Sequence, residues 1–174
     1  ARFEVRIDPL TEPGQNGMDR VEFMLSANPG ESLKPLEKVA SGGEMSRIML
    51  AFKAIAANAD SIPTLIFDEI DTGISGHIAA VVGEKMVSIA DNHQVLCVTH
   101  LPQIAALADV HFMVQKQDDG QTTRTSLKRL EMEERYEYIA RMMSGMEDSK
   151  LAYEHARELI THSEEIKQKR RKNK

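Results

Sequence analysis

Three short stretches carry residue types that act on phosphates. The first is Ser41-Gly42-Gly43-Glu44, a hydroxyl, two small residues and a carboxylate at the start of a segment with helical apolar spacing. Unblocked backbone N–H groups and the positive end of a helix dipole there would form an anion site. The same four residues also read as a capping box, with Ser41 at the N-cap and Glu44 three residues on. The second stretch is Leu65-Ile66-Phe67-Asp68-Glu69, an apolar run that delivers two carboxylates at its carboxyl end. That is where open α/β sheets bind ligands. Asp68 suits a Mg²⁺ ion held through its water shell, and Glu69 suits orienting an attacking water. A lone Asp-Glu pair is more often just an acidic loop residue and a helix cap. The third is Thr99-His100, directly after Val95-Leu96-Cys97-Val98. An imidazole there can donate a hydrogen bond to a γ-phosphate, although a single polar loop histidine is commonplace.

The elements that must position these groups follow from apolar periodicity. Met45, Ile48, Met49, Phe52 and Ile55 make a helical stripe from Ser41 to about Asn58. After Pro63 the run 64–67 predicts a strand buried on both faces of a parallel sheet. Ile78, Val81, Val82, Met86 and Ile89 predict the next helix, and 95–98 the next strand. Strand, helix, strand in this order is a right-handed βαβ unit, so His100 should emerge at the same sheet edge as Asp68 and Glu69. Upstream, Phe3, Val5 and Ile7 alternate, Pro13 to Gly17 is turn chemistry, and Val21, Phe23 and Leu25 alternate again. This predicts an antiparallel hairpin over 2–26 with a long loop. Asn28-Pro29-Gly30 breaks the chain, and 32–40 reads as irregular. Downstream come a short helix from Pro102 to Ala108, a second hairpin turning at Asp118-Asp119-Gly120, and helices over 131–143 and 149–168.

Composition sets the outer bounds. The chain has 174 residues, 41% hydrophobic and 28% charged, with few aromatics and no Trp, which fits one domain with a core of Leu, Ile, Val, Met and Ala. That domain is expected over 1–163, followed by a basic, flexible tail over 164–174. The tail holds six basic residues against two acidic, a balance of +4 that leaves −9 on residues 1–163. A body so acidic offers no general attraction for DNA. Cys97 is the single cysteine, which excludes an internal disulfide and fits a reducing compartment. Mid-strand, it reads as a small buried hydrophobe. Neither an export signal nor a membrane-spanning run is present. His77, His93, His111, His155 and His162 show no metal-ligand spacing, and the Met-rich helices read as packing. Ala1 already lies in an alternating segment, which suggests a piece of a longer protein.

Order makes the three motifs specific. Ser-Gly-Gly-Glu opening a helix, then an apolar strand with Asp-Glu, then a strand ending in His, resembles the signature motif, Walker B and switch histidine of ABC ATPases. Ala40 to Arg47 and Phe67-Asp68-Glu69-Ile70-Asp71-Thr72-Gly73-Ile74-Ser75-Gly76 narrow the resemblance. With Val21 to Gly30 and Val98 to Gln103, they are similar to the RecN family of SMC-like ATPases, which acts in bacterial DNA double-strand-break repair. The likeness covers about residues 1–160. It implies an α/β fold of the P-loop NTPase type: the carboxyl-terminal half of an ABC ATPase head, a mostly parallel sheet flanked by helices, with hairpins at the amino-terminal side and after the switch histidine.

The resemblance also implies roles. Ser41, Gly42, Gly43 and Glu44 would meet ATP held by the opposite head of an ATP-dependent homodimer. Asp68 would serve Mg²⁺, Glu69 the hydrolytic water and His100 the γ-phosphate, and Asp71 to Ser75 would form the loop that communicates across the dimer. DNA would be engaged by the full-length protein, in the bacterial cytoplasm and at the nucleoid during repair, with no membrane involved. Three residues depart from the general ABC pattern: Ala40 where Leu is usual, Glu44 where transporters have Gln, and Ser75 where Asp is common. No Gly-x-x-x-x-Gly-Lys-Ser/Thr occurs, so the cradle for the β- and γ-phosphates is missing. The expectation is an ATPase part, inactive alone, completed by an amino-terminal P-loop segment. The rivals are a transporter nucleotide-binding subunit and a non-catalytic interaction module.

Overall fold

The computed structural model describes residues 1–26, 30–39, 42–56, 62–118, 122–146 and 149–172. They form two compact units, Ala1–Met45 and Ser46–Lys174.

In the first unit, strands β1 (Arg2–Gly14) and β2 (Gly17–Ser26) pair antiparallel. The alternation read from the sequence sets the register: Phe3 faces Leu25, Val5 faces Phe23 and Ile7 faces Val21. Phe3 and Phe23 stack diagonally with ring centroids 5.8 Å apart. The expected long loop is instead a two-residue connection, Gln15-Asn16, because both strands continue to Gly14 and Gly17. Gly17 makes this possible with φ +117°, a conformation side chains rarely adopt. The irregularity falls earlier, between Pro9 and Gly14, next to a residue that has no N–H to give a ladder. The stretch expected to be irregular holds a two-residue strand β3 (Lys34–Pro35), paired with Met24 and Leu25, and a single helical turn α1 (Leu36–Val39).

Helix α2 (Gly42–Ala56) begins at the end of the first unit and continues into the second. Its predicted first residue, Ser41, lies outside the described residues, as do the end of the stripe at Asn58 and the turn residues Asp119 and Gly120. The predicted βαβ unit is β4 (Thr64–Phe67), α3 (Gly76–Ala90) and β5 (Gln94–Cys97), with Phe67 opposite Cys97 in a parallel register. Within this chain only one of the two strand faces expected to be buried is covered. Leu65, Phe67, Val95 and Cys97 pack into a core with Leu50, Ala79, Val82, Met86 and Ile89. The alternate residues Ile66, Leu96 and Val98 are exposed, Ile66 at 72%. In period-two strands a single helical layer covers only one set of side chains.

The short helix α4 (Pro102–Ala105) packs near α3, where a Cβ on Gly83 would lie 3.9 Å from the Gln103 carbonyl and 2.3 Å from the Leu107 side-chain tip just beyond α4. The second hairpin is β6 (Phe112–Asp118) with β7 (Thr123–Arg129). Helix α5 (Met132–Ser144) opens on a capping box between Glu131 and Glu134 and ends on left-handed Gly145. Helix α6 (Lys150–Lys172) joins it around Ala106, Ile139, Ala156 and Ile160.

The expected boundary at residue 163 does not coincide with a structural division, because α6 runs on to Lys172 without a break. Ala156, Ile160, Ser163 and Lys167 recur at helical spacing and are all buried. Lys167 Nζ lies 3.0 Å from both Asp109 and Glu164, and Arg170 donates to Ser88 and Asp91. Among the described residues no helix is long and apolar enough to cross a membrane.

Candidate functional site at the carboxyl edge of the parallel strands

Strand β4 ends at Phe67, and the chain then makes a tight loop that carries Asp68 and Glu69 into solvent. Asp68 Oδ1 accepts the Glu69 N–H at 2.9 Å, and the Thr72 N–H closes a turn onto the Glu69 carbonyl at 3.1 Å. Glu69 has φ +56°, the only described residue besides glycine with a positive φ. A left-handed non-glycine residue stores roughly 1–3 kcal/mol and persists only where its surroundings over-determine it.

Helix α2 supplies those surroundings. Ser46 Oγ donates to the Asp68 carbonyl at 2.8 Å, and the Arg47 guanidinium donates to the carbonyls of Ile70 at 3.0 Å and Thr72 at 2.9 Å. Ile70, fully buried, anchors the loop from below. Sequence reasoning placed no role on Ser46 or Arg47. The available signals were their place in the Ala40 to Arg47 stretch that carries the family resemblance and their position one helical turn after Gly42-Gly43.

Asp71 points the other way from its two acidic neighbours. It is 3% exposed, and its Oδ2 accepts the Thr99 hydroxyl at 2.5 Å and the His100 backbone N–H at 2.8 Å. The His100 ring Nδ1 lies 3.1 Å from the same oxygen, while the rest of that side chain is 72% exposed. Burial pushes the Asp71 carboxyl upward, but the hydrogen bonds from Thr99 and the His100 backbone outweigh it and hold the group below its ordinary value. Thr99 and His100 reach this point because β5 runs parallel to β4, with Val98 N–H bonded to the Phe67 carbonyl at 3.0 Å.

The structure thus brings Asp68, Glu69, Asp71, Thr99 and His100 to one edge. Ser75 stands apart from them, exposed at the N-cap of α3 with no side-chain cap bond. In the first unit, Gly42 and Glu44 lie in the first turn of α2, and Gly43 is buried there. Burial and the carboxylates of Asp71 and Asp68 push the Cys97 thiol up to about 12, which leaves it a protonated packing group.

Two exposed carboxylates and an imidazole at strand ends can handle a phosphate, a metal ion and a water together. No cluster of three or more metal-ligating side chains exists among the described residues. A single carboxylate such as Asp68 fits Mg²⁺ that arrives already coordinated by phosphates and water, the usual manner for that ion.

No family model matches the chain. Among known proteins it is 51% identical, over 95% of its length, to the DNA repair protein RecN of Halalkalibacterium halodurans. It is 46% identical over 88% of its length to RecN of Bacillus subtilis, and 49% over 92% to RecN of Deinococcus radiodurans. It spans 30%, 27% and 28% of those proteins respectively. Among solved structures, an SMC ATPase chain described for ATP-driven dimerization and DNA-stimulated activation aligns with a TM-score of 0.51 and 22% identity, covering 82% of each chain. That likeness shows that the chain shares the α/β fold of that SMC ATPase chain. With these identities along almost its whole length, the chain belongs to the RecN family and matches the carboxyl-terminal part of its members.

Proposed function

We propose that this chain is the signature and Walker B part of an SMC-like ATPase that works in recombinational repair of DNA double-strand breaks. The observation that carries the reading is the meeting of Asp68, Glu69 and His100 at the carboxyl ends of two adjacent parallel strands. In this reading Asp68 holds the Mg²⁺ of bound MgATP, which offsets phosphate charge. Glu69 orients and polarises the attacking water, and His100 meets the γ-phosphate. Ser41, Gly42, Gly43 and Glu44 serve the nucleotide of a second head. Asp71 to Ser75 carry the signal between heads, and dimer affinity therefore depends on ATP.

The phosphate cradle comes from an amino-terminal P-loop segment of the same protein. The open apolar face of Ile66, Leu96 and Val98 supports such a partner, because adjacent apolar side chains on a sheet need a covering layer. DNA contact belongs to the full-length protein, since residues 1–163 carry a net −9. The setting is the bacterial cytoplasm, with recruitment to the nucleoid during repair.

The test is ATP turnover by this chain alone and after addition of the amino-terminal segment in trans. Turnover only on mixing, lost in Glu69→Gln, supports the composite site. Turnover by this chain alone at the rate of the mixture refutes it.

A further inference from the structure

Asp71 is 3% exposed, yet its Oδ2 bonds the main chain of His100 and lies near the ring of that residue, whose side chain is 72% exposed. The directions of the two hydrogen bonds to Oδ2 are determined. Thr99 Oγ1 already accepts the Leu101 N–H at 3.0 Å, which leaves the hydroxyl proton for Asp71. The His100 N–H can only donate. Oδ2 is therefore an unprotonated acceptor, and with His100 Nδ1 only 3.1 Å from it, charge favours a proton over a lone pair on that nitrogen. A neutral ring so held carries its proton on Nδ1 and presents Nε2 outward.

We infer that Asp71 is a positioning residue: it accepts the Nδ1 proton of His100, aims Nε2 at the γ-phosphate, and thereby ties the loop after Asp68-Glu69 to the switch histidine. This rests on the ATP reading given above. Nε2 can donate to a phosphate oxygen only after the ring takes a second proton, from the solvent to which it is open. The resulting imidazolium lies between two anions, Asp71 behind it and phosphate in front. Carboxylates that orient metal-bound histidines change activity by about 10- to 100-fold, and that sets the scale for the orienting role here.

The test is nitrogen NMR of the chain carrying ¹⁵N-labelled histidine, at alkaline pH where an ordinary imidazole is neutral. His100→Gln identifies the ring signals. The expected result is an Nδ1–H ring for His100 that reverts toward Nε2–H in Asp71→Ala, with Asp71→Asn between them because its amide oxygen still accepts. The wild-type spectrum decides even if Asp71→Ala fails to fold, and an Nε2–H ring there overturns the inference. In the full-length protein, Asp71→Asn should lower kcat by about 10-fold or more with KM for ATP little changed, and Asp71→Glu should restore part of it. Equal losses in kcat and ATP affinity would instead mark Asp71 as a structural staple and overturn the inference. Full turnover in His100→Gln would overturn the ATP reading of His100, whatever the tautomer.

Discussion

Arg47, in helix α2, donates through one guanidinium nitrogen to the carbonyls of Ile70 and Thr72, at 3.0 and 2.9 Å. A residue one turn into α2 thus holds the backbone on either side of Asp71. The bond to Ile70 is partly buried and the bond to Thr72 exposed, and a hydrogen bond from a charged donor is worth about 1.5–3 kcal/mol. Arg47→Ala should lower unfolding free energy by about 1–3 kcal/mol in urea denaturation and reduce ATP turnover of the full-length protein. Arg47→Lys, with a point-like ammonium, should recover only part of both. An Arg47→Ala chain as stable as wild type would remove this strap from the account.

Glu69 is expected to trade stability for chemistry. Its φ of +56° suits glycine better than glutamate. Glu69→Gly should leave the chain at least as stable as wild type, even though glycine loses more entropy on folding, while turnover of the full-length protein falls to background. Glu69→Gln should keep nucleotide binding and accumulate closed dimers, as read by size-exclusion chromatography with ATP. Loss of ATP binding in Glu69→Gln would contradict its assignment to the water.

The acid limb of stability should carry the signature of Asp71. Its folded-state value is depressed, so its contribution is present in full above the ordinary aspartate value of about 3.9. It then disappears as pH falls through the lower folded value. In Asp71→Asn that part of the pH dependence should flatten, measured as denaturant midpoints across the acid range. An unaltered acid limb would mean that the buried carboxylate gains nothing from its partners.

Truncation after Ser163 should destabilise the chain, because it removes buried Lys167 with its two ion pairs and the Arg170 bonds to Ser88 and Asp91. Thermal unfolding is the measurement. A basic segment with no docking role would leave the midpoint unchanged.

Cys97 should resist alkylation at pH 8 in the folded chain and react once urea exposes it, since its thiol is pushed up to about 12 by burial and two nearby carboxylates. Labelling followed by mass spectrometry reads this directly.

Local periodicity determined much of this protein from sequence alone. Alternation at Phe3, Val5 and Ile7 and at Val21, Phe23 and Leu25 specified the first hairpin. Apolar runs around a 3.6-residue stripe specified β4, α3 and β5, and so brought His100 to the edge that holds Asp68 and Glu69. These features depend on neighbours within one element or one crossover, where pattern and structure share a period.

Only the tertiary structure decided the rest. Asp71 meets Thr99 and His100, 28 and 29 residues away, and Arg47 reaches Ile70 and Thr72, 23 and 25 residues away. No periodicity encodes such distances. The strand run at 64–67 looked buried on both faces because Thr64-Leu65-Ile66-Phe67 shows no polar alternation, yet this chain packs helices over one set of its side chains. Likewise the basic end read as a solvated tail, since a lysine in sequence carries no sign of the carboxylates that Asp109 and Glu164 bring to it. Short-range order follows from the backbone's own repeat, whereas the partner of a charged group is chosen by which surfaces the packed core brings together.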